Sequence, residues 1–145
     1  MTYLLDTNVL IYPHQGSAAP KRERAIELLG RLEARGDAVL PAQALAEFAN
    51  VALRKLGWNP ESIYRQVEDL SQAFAVVPLS EWMVLEAVRG VDAHGLSYCD
   101  AQIWAAARLH QIPTVLTEDF ASDATLEGVT FMNPFAETFS IADLA

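Results

Sequence analysis

Short apolar segments of strand type recur along this chain, and helical segments lie between them. Strands are expected at residues 2–6, 37–40, 75–79, 113–117 and 129–132. Between them the spacing predicts helices at 9–12, 21–35, 41–56, 61–74, 81–93 and 98–110, often two between consecutive strands. The punctuation agrees. Pro20 and Pro60 suit first helical positions, Ser80 and Ser97 suit N-caps, and Gly36, Gly57 and Gly95 suit helix ends. Strands joined through helices pair in parallel and bury both faces of their sheet. The fold class that follows is α/β: three layers, with a central, mainly parallel sheet between helices, and one domain over residues 1–145.

On that frame several acids sit where a carboxylate is costly. Asp6 ends the apolar run Tyr3-Leu4-Leu5, and Asp119 follows Val115-Leu116-Thr117, so both fall just beyond a strand. Glu47 interrupts an apolar helix. Asp100 shares a helix face with Ile103, Trp104 and Ala107. A buried carboxylate either neutralises or finds a cation. Several converging on one point make a hard, oxygen-rich site suited to Mg²⁺ or Mn²⁺. In open parallel sheets such sites gather at the carboxyl ends of strands. Each acid also has an ordinary reading: Asp6 bonding turn amides, Ser97 and Asp100 forming a capping box, Glu47 solvated, Asp119 and Asp123 as loop acids. The joint placement favours the cation site.

Net charge is −9, which disfavours a broad phosphate-binding surface. The cations are confined to the first three quarters of the chain, and none follows Arg108. A nucleic acid would have to be gripped by Arg22, Arg24, Arg54 and Lys55. No apolar run reaches the roughly 18 residues of a membrane span. The start of the chain lacks the pattern of a signal peptide, and a single cysteine, Cys99, forms no internal disulfide; a cytoplasmic location is expected. His14, His94 and His110 have no ligand spacing and read as surface residues. Cys99 reads as a small core residue, Trp82 and Trp104 as core, and Trp58 as an exposed contact residue.

The segments Leu5-Asp6-Thr7-Asn8-Val9-Leu10-Ile11-Tyr12, Ala46-Glu47-Phe48-Ala49-Asn50-Val51, Leu96 through Ala107 around Asp100, and Leu116-Thr117-Glu118-Asp119-Phe120 resemble, in order, the motifs of the PIN domain family. The likeness is closest to its VapC-type toxins. The resemblance implies a metal-dependent ribonuclease, dimeric and held inactive by a cognate antitoxin, leaving a 5′-phosphate and a 3′-hydroxyl. Carried over residue by residue, Asp6 and Asp100 would be the metal ligands, and Glu47 and Asp119 would complete the acidic pocket. Thr7 or Thr117 would orient a carboxylate, Asn8 would position phosphate or an ordered water, and Asp123 would be a further acid. An antitoxin helix would dock on exposed apolar side chains such as Trp58 and Tyr64.

Two other classes compete. A phosphoreceiver module is also α/β with clustered acids but needs a late lysine, and the last here is Lys55. A PIN-fold binding module without activity would not need the full acid set. An aspartyl-phosphate phosphatase would need an acid where Asn8 stands.

Overall fold

The structure, a computed structural model, describes residues 1–120 and 123–144. Its elements in chain order are β1 (Tyr3–Leu5), α1 (Thr7–Ile11), α2 (Ala19–Arg35), β2 (Ala38–Pro41), α3 (Ala42–Arg54), α4 (Pro60–Ala73), β3 (Ala75–Val77), α5 (Glu81–His94), α6 (Tyr98–Leu109), β4 (Thr114–Leu116), β5 (Thr125–Leu126) and β6 (Val129–Met132). The strands form one sheet in the order β3-β2-β1-β4-β6-β5, parallel except where β5 turns back on β6.

Strand alternation sorts the side chains into two cores. Tyr3 and Leu5 face α1 to α4, together with Leu40, Leu116 and Phe48. Leu4 and Val115 face α5 and α6, together with Met83, Trp104 and Phe131. This is the three-layer α/β/α architecture expected. Phe139, Ile141 and Leu144 pack into the first core, and Arg24 fastens that segment through hydrogen bonds to the carbonyls of Pro134 and Phe139, both 3.1 Å.

The helix caps follow the sequence signals. The side chains of Asn59, Ser80 and Ser97 accept from the backbone amides of Ser62, Met83 and Asp100. Gly95 closes α5 in the left-handed region, φ 66°. The helices α5 and α6 approach closely because α5 presents small residues, Ala87 and Gly90, to α6. A Cβ added at Gly90 would lie 2.7 Å from Trp104 Cζ3. The Trp104 indole is fully buried and donates from Nε1 to the Leu126 carbonyl at 3.1 Å, tying α6 to β5.

Several expectations change here. Trp82 is 66% exposed, because the face of α5 turned towards α6 is the small-residue one. Trp58 is half-buried, edge-on to His14 and Phe48, and not an exposed contact. His14 is half-buried by that cluster, and burial pushes its imidazole down. His94 is half-buried and bonds Glu127 at 2.7 Å. Cys99 is exposed, not in the core. The short strand β5 was not expected. Its hairpin turns at Glu127 (φ 49°) and Gly128 (φ 85°), the positive-φ pair of a type I′ turn.

Candidate active site

The sheet order reverses direction at β1: β2 lies on one side and β4 on the other. Asp6 follows β1 and Thr117 follows β4, and the two strands pair in parallel with Leu5 opposite Leu116. The residues just beyond are therefore brought side by side at the crevice where such sheets bind ligands. The Asp6 amide donates to the Leu116 carbonyl at 3.1 Å. Thr117 Oγ1 donates to Asp6 Oδ2 at 2.6 Å, and the Thr7 amide donates to Asp6 Oδ1 at 2.7 Å, so both carboxylate oxygens are held. Asp6 is thereby the N-cap of α1. Thr117 Oγ1 also accepts from the Asp119 amide at 3.1 Å, shaping the loop that carries Asp119.

Two helices bring the remaining acids. The helix α3 starts directly after β2 and places Glu47 in its second turn, where Thr7 Oγ1 donates to Glu47 Oε2 at 3.3 Å. In α6 Asp100 stands in the first turn. Asp6, Glu47, Asp100 and Asp119 line one cavity of about 620 Å³. Asp6 is buried, and that burial pushes its carboxyl up. Its two hydrogen bonds work against the shift, and the charges of Asp119 and Asp100 add to it.

The donors are all carboxylate oxygens, the chemistry that holds Mg²⁺ or Mn²⁺. Asp6 carries an uncompensated electrostatic burden that a cation would relieve. Among the described residues no group of three His, Cys, Asp or Glu side chains is drawn tightly enough to hold an ion as it stands. The residues present fit a divalent cation in donor type, and the four acids line one cavity.

The other expected site residues divide. Asn8 lines a smaller adjoining cavity of about 200 Å³ with Asp6, Glu47, Asp119 and Lys55, and both polar atoms of its amide are buried without a partner. Arg54 is exposed at the end of α3, and Arg22 is half-buried. Arg24 is engaged with the C-terminal segment as described. Asp123 lies apart. Its amide donates to the Phe131 carbonyl at 2.8 Å, and it lines a separate cavity with Met132 and Asn133. Sequence reading missed Gln43, which lines the acidic cavity; its only signal was a position one helical turn before Glu47. It also missed Tyr12, whose hydroxyl bonds Glu118. Lys21 pairs with the same carboxylate at 2.6 Å, clamping α2 to the loop before Asp119.

The fold and its acid-lined crevice define an α/β domain built around a carboxylate site at a sheet switch point. The sequence model of the PIN domain matches residues 3–124, and the chain belongs to that family. No curated protein sequence matches it. Solved structures share the fold. One is a toxin–antitoxin complex from Klebsiella pneumoniae, with TM-score 0.64, 23% identity, and coverage of 92% of this chain and 98% of that one. Another is VapC20 of Mycobacterium tuberculosis, described as a toxin cleaving the sarcin–ricin loop, with TM-score 0.67, 19% identity and coverage of 87% and 98%. A third is VapBC2 from Rickettsia felis bound to a promoter DNA fragment, with TM-score 0.66, 16% identity and coverage of 92% and 98%.

Proposed function

We propose that this chain is a metal-dependent ribonuclease that hydrolyses RNA phosphodiester bonds, and the toxin of a toxin–antitoxin pair acting in the cytoplasm. The observation that carries the reading is the convergence of Asp6, Glu47, Asp100 and Asp119 on one cavity in a PIN domain. The nuclease is taken as one domain over residues 1–145, supported by the packing of Phe139, Ile141 and Leu144 against the core of β1.

Asp6 and Asp100 would hold Mg²⁺ or Mn²⁺, with Glu47 and Asp119 completing the pocket. The bound ion supplies an activated water and neutralises charge on the phosphate. The chain's own residues do the positioning. Thr117 fixes Asp6, Thr7 steadies Glu47, and the free amide of Asn8 faces the same carboxylates from the adjoining cavity. Lys55, on the wall of that cavity, and Arg54 beside it in sequence offer the phosphate contacts that the net charge otherwise denies, and Arg22 is a further candidate. Asp123 lines a separate cavity, and this reading gives it no role in the mechanism.

Purified chain should cut single-stranded RNA with Mg²⁺ or Mn²⁺, stop on chelation and resume on metal return; cleavage indifferent to chelator would sink the reading. Replacing Arg54 and Lys55 together with Gln should weaken RNA binding and flatten its salt dependence by about 1.4 units of log–log slope. An unchanged slope would remove both residues from the substrate path.

The named neighbours include toxin–antitoxin complexes, which supports a small inhibitory partner here. Tyr64, 71% exposed, and Leu53, 51% exposed, give such a partner apolar contacts. A homodimer is supported by the outward stripe Trp82, Leu85 and Val88 of α5. Co-expression with the product of any adjacent small gene should give a complex without nuclease activity. A bound form that cuts as fast as the free chain would leave a stand-alone PIN nuclease.

A further inference from the structure

Gln43 stands in the first turn of α3, four residues before Glu47, and walls the same cavity as the four acids. With Ala46, Glu47 and Asn50 it forms one face of the helix, at spacings of three, four and seven. Both polar atoms of its side chain, Oε1 and Nε2, are buried and have no hydrogen-bond partner. A buried amide in that condition destabilises the fold, and an apolar side chain of similar length would fill the wall without the penalty. No hydrogen bond holds the amide back, so it can turn into the cavity without breaking one.

We infer that Gln43 is a specificity-determining residue whose amide hydrogen-bonds the edge of an unpaired nucleobase next to the bond that is cut. The inference rests on the ribonuclease reading. Around Gln43 the cavity is lined by carboxylates, which disfavour a further anion, and by the apolar side chains of Leu79 and Ile103, which suit the flat face of a base. Gln43 is a neutral group in this wall, as are Asn50 and Gln102, and of the three only Gln43 has both amide atoms buried without a partner; it matches the neutral part of a nucleotide. Its carbonyl and amino group lie side by side, the pattern that pairs with adenine through N6 and N7. Single-stranded RNA exposes such edges. Small neighbours, Ala42 and Ala46, leave room beside the amide for a ring.

The test begins by sequencing the ends that the wild-type chain leaves in single-stranded RNA of random sequence. Values of kcat/KM are then compared on oligonucleotides that differ only in the bases beside the cut, for wild type, Gln43→Met and Gln43→Glu. Wild type should favour adenine at one of these positions by about tenfold. Gln43→Met should flatten that preference, with the loss concentrated on the adenine substrate. Gln43→Glu should move it towards cytosine, whose amino group a carboxylate accepts. A uniform fall on all four bases, or an unaltered preference, overturns the inference. A second readout needs no substrate: metal-free Gln43→Met should melt higher than wild type, because the orphaned amide is gone. A lower melting temperature would mean that the amide is paired in solution, and overturns it as well. A wild-type chain that cuts no RNA with any divalent metal removes the ribonuclease reading and this inference with it. A cutting enzyme with unchanged base preference removes the inference alone.

Discussion

Asp6→Asn and Asp100→Asn should each lower RNA hydrolysis by at least about a hundredfold, since removal even of a supporting group at a metal site costs about 10–100-fold. The fold should survive both. Asp6 is buried, its carboxyl is pushed up by that burial, and Asp119 and Asp100 repel it. The neutral amide relieves both burdens. Its oxygen can still accept from the Thr7 amide, and the Thr117 hydroxyl can rotate to accept from the new amino group. The metal-free melting temperature at neutral pH should therefore hold or rise. Hydrolysis within a few-fold of wild type in either variant would sink the assignment. A collapse in stability would mean that Asp6 is held for structure.

The second large effect lies at the seam of α5 and α6. Gly90→Ala should destabilise the protein by about 1–3 kcal/mol, the usual cost of overpacking. That is roughly 3–10 °C in Tm for a domain of this size. In an exposed helix the same change would stabilise by about 1 kcal/mol, so the sign of the result is informative. The new Cβ would lie 2.7 and 2.8 Å from Trp104 Cζ3 and Cε3. The indole cannot move aside without losing its bond to Leu126 and the packing of a fully buried ring. Trp104→Ala alone should cost about 3–5 kcal/mol. In that background Gly90→Ala should become neutral or stabilising, because the clash has lost its partner. Equal losses from Gly90→Ala in both backgrounds would show that the ring is not the obstacle.

Strand–helix alternation and cap residues made the order of elements legible, because those signals are local. The acids were legible for a related reason: Asp6 and Asp119 break apolar strand segments at their ends, where a charge is conspicuous. The face of α5 was not. Its outward stripe of Trp82, Leu85 and Val88 is more hydrophobic than its inward stripe of Met83, Ala87 and Gly90. Periodicity reports an apolar face and not which of two faces meets a close neighbour. The strand β5 escaped because it is two residues long and its turn uses Glu127-Gly128 in place of the usual Asn-Gly or Asp-Gly. Gln43 escaped because an amide in a helix is unremarkable until its atoms are found buried and unpaired.

The segments that supply Asp6, Glu47, Asp100 and Asp119 are far apart in the chain and meet only through the pairing of β1 with β4 and the docking of α3 and α6. An unfolded chain has no such site. Any ligand of the cavity therefore binds the folded state alone, and its affinity adds to conformational stability by mass action, about 2.7 kcal/mol at a hundred times its Kd. Melting temperature becomes a binding assay for this protein, one that needs no knowledge of its substrate. A cell that withdraws an occupant of this cavity would also leave the fold less durable.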